Sequence, residues 1–212
     1  TMLSLDGEVT SKRQSASANA GLLEFVRALP GFAVRGASAG VMQRVSMLGD
    51  ELAQTDFSLP EGFETLRFWP LGLGGRRVDP FKSKGGRLLI VSPFITAGAV
   101  ESLAADTTEC LLVSTPSQLA SLAHRPAGVT DFKMLSDRAI AEAEADEGDT
   151  AAPPPATLAE AIQQAHLHAK LYVSDNGRDA HVWTGSANAT QAGLGLNVEM
   201  LVELTGPKRL FG

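Results

Sequence analysis

Residues 168–188 read HAKLYVSDNGRDAHVWTGSAN, and Glu199 follows eleven residues after the asparagine that ends this stretch. Around its start, polar or aromatic residues stand at positions 166, 168, 170 and 172, and apolar residues stand at 167, 169, 171 and 173. This period of two predicts a half-buried strand that begins at His166 and carries His168 and Lys170 on one face.

A hairpin is predicted to follow this strand. Asn176-Gly177 is a strong signal for a tight turn, and residues 180–184 are typical of a returning strand. The return brings residues 185–188 back toward His168. Gly185 stands where the second strand ends, and its missing side chain lets a ligand approach the backbone while Ser186 and Asn188 project into a site.

A third strand is predicted between Val198 and Leu204, where apolar and acidic residues alternate. Glu199, Leu201 and Glu203 share one face of it. From a neighbouring strand, Glu199 could reach the histidine.

The side chains of these segments are those that phosphodiester chemistry needs without a metal. An imidazole (His168) can attack phosphorus, and an ammonium, a hydroxyl and an amide (Lys170, Ser186 and Asn188) can hold phosphate oxygens. A carboxylate (Glu199) can orient the imidazole. The residue types therefore indicate phosphoryl transfer.

The pattern H-x-K-x4-D, followed by G-S-x-N and N-x10-E, resembles the phospholipase D superfamily of phosphodiesterases. Weaker similarity extends upstream, where residues 87–94 (RLLIVSPF) and 111–114 (LLVS) resemble the first strands of a lobe in large bacterial phospholipase D-like proteins. Such proteins often occur among nucleic-acid-processing and defence genes.

The resemblance implies a role for each motif residue. His168 would be the nucleophile that forms a phosphohistidine, and Glu199 would accept a hydrogen bond from its far ring nitrogen. Lys170, Ser186 and Asn188 would bind the non-bridging oxygens. No cofactor and no metal is implied. Asp175 matches the motif but points to the opposite strand face by parity, so we expect a structural role for it.

The family uses two such histidines in each site, whereas this chain has one motif. His124 and His181 do not begin an H-x-K. Residues 17–20 (SANA) echo residues 186–189, but the residue eleven beyond Asn19 is Pro30, so we interpret this stretch as the cap of the following helix. The second histidine would come from a homodimer mate or from an upstream lobe. Thr1-Met2 and the ending at Gly212 make us expect a fragment of a longer protein.

The remaining pattern predicts an α/β fold: a phospholipase D-like lobe with a mixed β-sheet flanked by helices, preceded by a short helical segment. Residues 1–60 are interpreted as a helical lead-in, with one helix around Phe25 and a second capped by Ser38. Residues 61–212 are interpreted as the catalytic lobe. Strands are expected at 63–69, 87–92 and 110–114, and helices are expected after Thr96 and at Pro116. An acidic and Pro-rich insertion occupies about 140–156.

Composition bounds the class of protein. The chain has 212 residues, 44% of them hydrophobic, and a formal net charge of -6 at pH 7. A lone cysteine, Cys110, excludes an internal disulfide, and its apolar neighbours predict a packed thiol. No sequence feature indicates a secretory signal, and no apolar run approaches the roughly 18–20 residues that span a bilayer. We therefore expect a cytoplasmic protein without a membrane partner.

These features favour a metal-independent nuclease that acts on DNA more than on RNA. Six cations lie close together and could flank the site entrance, namely Arg67, Arg76, Arg77, Lys82, Lys84 and Arg87. One alternative is a non-catalytic nucleic-acid-binding or scaffold lobe that completes a partner, and another is a phospholipid-directed enzyme. Trp69 and Trp183 are interpreted as strand or core residues. A zinc site at His166 and His168 is disfavoured because Lys170 would repel a cation.

Overall fold

The computed structural model describes residues 3–10, 18–134 and 168–210. The N-terminal part contains strand β1 (Gly7–Val9), helix α1 (Ala20–Ala28), helix α2 (Ala39–Leu52) and strand β2 (Thr55–Phe57), with a 3₁₀ turn at Leu29–Phe32. The strands β1 and β2 pair antiparallel. This small sheet was not predicted, because three-residue strands are too short to show an alternating pattern.

Two capping predictions for these helices had different outcomes. The Ser38 hydroxyl accepts a hydrogen bond from the backbone N–H of Val41, which confirms the predicted cap of α2. Asn19 is the N-cap residue of α1, but its side chain forms no capping hydrogen bond. Its Nδ2 donates to the carbonyls of Leu52 at 2.7 Å and Thr55 at 2.8 Å, so this buried side chain joins the start of α1 to the end of α2.

The rest of the chain forms a mixed sheet with short helices. Its strands are Thr65–Leu71 (β3), Arg87–Val91 (β4), Glu109–Ser114 (β5), Asp131–Met134 (β6), Leu171–Asn176 (β7), Asp179–Gly185 (β8) and Glu199–Pro207 (β9). Its helices are Ala97–Ala104 (α3), Pro116–Ala120 (α4) and Gln191–Gly195 (α5), and further 3₁₀ turns lie at Leu73–Gly75, Pro80–Ser83 and Lys208–Leu210.

The seven strands have the order β3-β9-β8-β7-β4-β5-β6. The strands β4, β5 and β6 are parallel and are connected through α3 and α4, whereas β7, β8, β9 and β3 pair antiparallel with their neighbours. Helix α4 begins as predicted, with Pro116 in its first turn and the Thr115 hydroxyl accepting from the N–H of Gln118. This mixed α/β sheet flanked by helices is the predicted fold class.

One face of the sheet carries the hydrophobic core. Ile90, Leu112, Tyr172 and Trp183 are fully buried on it and pack with residues of α3. Trp69 and Trp183 are strand residues, as predicted. Cys110 is fully buried, and burial raises the pKa of its thiol to about 11, so the prediction of a packed cysteine is confirmed.

Other predictions concern residues outside the described ranges. The acidic and Pro-rich insertion at about 140–156 lies there, as does His166. The division of the chain at residue 60 stays a prediction. Within the described residues, no helix has the length and apolar character that a membrane crossing requires.

Candidate active site

The strand register brings the motif segments to one end of the sheet. Leu171, the first residue of β7, pairs with Thr184 near the end of β8. Gly185, the last residue of β8, pairs with Leu201 near the start of β9. The chain before β7, the turn after β8 and the first residue of β9 therefore lie side by side.

His168 and Lys170 lie just before the first strand of this hairpin. The predicted strand from His166 is described only from Leu171, and residues 168–170 are irregular. The strand therefore begins later than predicted, and the expectation that the two side chains share one face stays a prediction. His168 is exposed, and the Lys170 ammonium donates to the His168 carbonyl at 3.2 Å.

Gly185 is needed where β8 meets β9. Its φ is 155°, and a Cβ at this position would collide with the carbonyl of Met200. The next residue, Ser186, then forms two hydrogen bonds with Met200: its N–H donates to the Met200 carbonyl at 3.0 Å, and its hydroxyl accepts from the Met200 N–H at 3.0 Å. The hydroxyl of this exposed serine keeps its own proton for another acceptor.

The turn after Gly185 is tied to the first strand by Tyr172. The hydroxyl of this buried side chain donates to the Ala187 carbonyl at 2.9 Å. Because Tyr172 lies two residues after Lys170 and Ala187 lies between Ser186 and Asn188, this bond holds the two motif segments together. Burial raises the pKa of Tyr172, and the charge of Glu199 raises it further, so Glu199 is electrostatically close to the same tyrosine.

Asn188 and Glu199 complete the predicted set. The Asn188 Oδ1 is buried, and no hydrogen bond from the described residues reaches it. Glu199 is half-buried, and its Oε1 lies 3.5 Å from the Nδ2 of Asn197, a distance at the upper limit for a hydrogen bond. The described neighbours leave hydrogen-bonding capacity unused on both groups, as expected of groups that bind a ligand. The predicted hydrogen bond between Glu199 and His168 stays a prediction.

Asp175, by contrast, is bound within the scaffold. Its carboxylate accepts from the backbone N–H of Arg87 at 2.8 Å, from the Arg87 guanidinium and from the Lys208 ammonium at 2.7 Å. Partial burial raises the pKa of Asp175, but these hydrogen bonds outweigh it and lower the pKa to about 2. The carboxylate joins β7 to β4 and to the end of β9, as expected of a structural residue.

Two members of the predicted basic cluster, Arg87 and Lys84, lie away from the motif segments. The Arg87 side chain is bound to Asp175, at the end of β4 remote from Val91, which pairs with Leu171. The Lys84 ammonium donates to the carbonyl of Ala105 at 2.7 Å. These two cations do not flank the site entrance, which corrects the expectation for them.

The sequence reading missed a buried polar network that contains Glu203 and His181. The His181 Nδ1 lies 2.9 Å from Oε1 of Glu203, and the Trp69 indole N–H donates to Oε2 at 2.7 Å. The Ser83 hydroxyl donates to Oε1 at 3.2 Å. Burial raises the pKa of the Glu203 carboxyl, but hydrogen bonds from His181, Trp69 and Ser83 outweigh it and lower the pKa. The alternation of β9 places Glu203 on the same face as Leu201, but this pattern alone does not show which distant side chains contact the carboxylate.

A metal centre was considered from sequence at His166 and His168. His166 lies outside the described residues. Within the described part of the chain, no group of three or more His, Cys, Asp or Glu side chains could hold a metal ion.

Comparison with known proteins identifies the class. Residues 130–210, which contain the motif segments, match the family model described as cardiolipin synthase, PLD-like domain. The motif segments thus lie within a match to a PLD-like domain, in agreement with the resemblance to the phospholipase D superfamily that the motifs predicted. No curated protein is significantly similar to the chain in sequence.

Several solved structures are similar to the chain. NucT from Helicobacter pylori is 13% identical with a TM-score of 0.35, and the match covers 66% of this chain and 84% of NucT. Yeast tyrosyl-DNA phosphodiesterase is 13% identical with a TM-score of 0.39, over 65% of this chain and 31% of the yeast protein. Phosphatidylserine synthase from Haemophilus influenzae is 12% identical with a TM-score of 0.34, over 92% of this chain and 50% of the synthase. The chain thus spans half or less of the last two proteins.

Proposed function

We propose that the protein is a metal-independent phosphodiesterase that cleaves nucleic acid, DNA more than RNA, through a phosphohistidine at His168. The observation that carries this proposal is the hydrogen bond of 2.9 Å from Tyr172 to Ala187, because it holds the segment after His168 and Lys170 against the segment of Ser186 and Asn188. Phosphate-binding groups from both segments then act on one phosphate.

In the first step, the neutral imidazole of His168 attacks phosphorus. A nitrogen–phosphorus bond forms as the bond to the leaving oxygen breaks, and a second imidazole gives its proton to the departing alkoxide. Lys170, Ser186 and Asn188 donate to the non-bridging oxygens, whose negative charge must be stabilised in the transition state. The Glu199 carboxylate accepts from the far ring nitrogen of His168 and stabilises the positive charge that develops on the ring.

In the second step, water displaces the His168 nitrogen from phosphorus. The second imidazole, now neutral, takes a proton from the water as its oxygen attacks phosphorus, and the nitrogen–phosphorus bond breaks. His168 is restored, and the second imidazole is again protonated. The product is a strand with a terminal phosphate.

The second imidazole would come from outside this chain. A homodimer mate would supply its own His168, since an isologous contact places equivalent residues opposite each other. An upstream lobe of a longer protein would supply an equivalent histidine. The site end of the sheet, with exposed His168 and Ser186, would face that second half.

A rapid-quench experiment tests the chemistry. The protein, assembled with its second half, is mixed with phosphorus-labelled DNA, RNA or phospholipid, with and without EDTA. We expect label from DNA on the protein that survives alkali and chelator, disappears in acid and is absent in His168→Ala. Label that resists acid or survives this substitution would reject the nucleophile. Labelling from phospholipid alone would reject the substrate class, and the absence of labelling and turnover with every substrate would favour a non-catalytic binding lobe.

A further inference from the structure

A large cleft lies beside β3, the edge strand of the sheet. Its volume is about 1180 Å³, which is large enough for a nucleotide with part of its neighbour. The start of α1, strand β3 and the segment 76–83 line it, together with His181 and Glu203 of the buried network. None of the predicted catalytic residues lines this cleft.

The cleft contains a fixed cationic surface. The Trp69 indole is held by its hydrogen bond of 2.7 Å to Glu203, and the Arg67 guanidinium carbon lies 3.8 Å from the centre of the indole ring. Arg67 is an exposed residue, so a ligand in the cleft can reach its side chain. Planar guanidinium groups stack on nucleobases, and a stack that is already ordered loses less entropy on binding.

The charges of the cleft are divided between paired and unpaired groups. Arg76 forms an ion pair of 2.8 Å with Glu24, and Asp79 accepts from the backbone N–H of Phe81. In the part of the chain that the structure describes, no ion pair involves Arg67, Arg77 or Lys82. These three cations are equal in number to the exposed acids of the cleft that form no ion pair in the described residues, namely Asp56, Glu64 and Asp79. The ordered stack of Arg67 on Trp69, not an excess of positive charge, is therefore the basis for binding.

The cleft is also placed on the same side of the sheet as the candidate active site. Glu203 lies in its wall, and Glu199 lies on the same face of β9 four residues away. Four residues of a strand span about 13 Å, a distance that a few nucleotides of a single strand can cover. A strand whose phosphate is bound at His168 could therefore reach the cleft.

We propose that the cleft is a binding subsite for a nucleotide of single-stranded nucleic acid that flanks the phosphate at the active site. Arg67, ordered on Trp69, stacks on a base, and Arg77 and Lys82 contact phosphate oxygens. Glu203 acts as a positioning residue that fixes the indole. The inference rests on the proposed nuclease function and names a part of the substrate that lies away from the cleaved bond.

The test measures binding separately from cleavage. The ligand is a fluorescein-labelled oligothymidylate of about 12 nucleotides, a length within the site sizes of single-strand-binding proteins. Its Kd for a His168→Ala protein is measured by fluorescence anisotropy. Arg67→Ala should raise Kd about tenfold, because one stacked base contributes on that scale. Arg67→Lys, which keeps the charge but loses the planar group, should recover only part of this loss.

Arg44→Ala is the matched control, because it removes the same charge from an exposed residue of α2 outside the cleft. It should change Kd less than about twofold, the effect of one distant charge. Equal Kd values for Arg67→Ala and Arg44→Ala would overturn the subsite, and so would a His168→Ala protein that does not bind the oligonucleotide.

Hydrolysis of a small diester, bis(p-nitrophenyl) phosphate, by the protein with intact His168 provides a separate readout. If this hydrolysis and DNA cleavage occur but the Arg67 effect is missing, the subsite fails and the proposed function stands. If neither reaction occurs but the Arg67 effect on Kd is present, the catalytic proposal fails and the subsite stands as a binding site.

Discussion

Two glutamates lie on the same face of β9, four residues apart, in different surroundings. Glu203 is buried and has hydrogen-bond partners in His181, Trp69 and Ser83. Glu199 is half-buried, and the Nδ2 of Asn197 lies at 3.5 Å from it. A carboxylate whose oxygens are saturated by the scaffold stabilises the fold, whereas one with unused acceptor capacity is available to an imidazole. The comparison is consistent with a structural role for Glu203 and supports the chemical role proposed for Glu199.

The largest expected effect is on turnover in Glu199→Gln. The amide keeps the size of the side chain but removes the charge that stabilises an imidazolium, so kcat should fall by up to about 10⁴-fold, on the scale known for such carboxylates. The melting temperature should stay close to that of the wild type. Steady-state cleavage and thermal unfolding measure the two quantities. An unchanged kcat would remove Glu199 from the site.

Glu203→Gln should lower the stability of the fold and affect the chemical step little, which is the opposite of what is expected for Glu199→Gln. The amide keeps one acceptor oxygen where the carboxylate has two, so its NH2 group faces either the Trp69 N–H or the groups of His181 and Ser83. The free energy of unfolding should therefore fall by about 3 kcal/mol, as for broken buried pairs. The chemical step should be affected far less than by Glu199→Gln. Denaturant unfolding and single-turnover cleavage of the folded protein measure this. A large loss of the single-turnover rate with normal stability would erase the distinction between the two glutamates.

The motif strands β7 to β9 were predicted from the sequence, whereas the buried network around Glu203 was not, and this difference has a physical reason. The H-x-K, G-S-x-N and glutamate spacings, with the period-two alternation and the Asn176-Gly177 turn, were enough to predict strands β7 to β9. The network of His181 and Glu203 was missed because it needs Ser83 and Trp69, which are more than 90 residues away in sequence and are brought close only by the sheet order. Pairings of this range depend on which strands become neighbours, and local periodicity does not encode that.

Boundaries were harder to predict than elements for a similar reason. The alternation of residues 166–173 continues through His168 and Lys170, but the ladder with β4 and β8 begins only at Leu171. A pattern reports which residues could alternate, whereas a strand also needs a partner at each position. Within the stretch 17–20, which was interpreted as a cap, the Asn19 side chain instead donates to the carbonyls of Leu52 and Thr55, and these acceptors are distant in sequence.

Asp175→Asn extends the comparison to a third carboxylate of the motif region. The amide loses the charge that binds Arg87 and Lys208, so the free energy of unfolding should fall by about 2 kcal/mol, on the scale of hydrogen bonds to charged groups. Asp131→Asn is the control, since its ion pair with Lys133 is exposed and screened by solvent, so its loss should change the free energy of unfolding far less than Asp175→Asn does. Equal losses in the two variants would reject the structural role of Asp175.

The smallest expected effect is the change with pH of the difference in unfolding free energy between the wild type and Asp175→Asn. The pKa of Asp175 is lowered to about 2 in the folded protein, below its ordinary value of 3.8. A carboxyl with a depressed folded pKa contributes stability that is present above its unfolded pKa and is lost as the pH falls through the folded value. The stability gap between wild type and Asp175→Asn should therefore be constant above about pH 5 and should narrow between about pH 4 and pH 2. Urea unfolding at a series of pH values measures it. A gap that stays constant down to pH 2 would mean that the loss in Asp175→Asn arises from altered packing and that the charge of Asp175 is not what stabilises the junction of β7, β4 and β9.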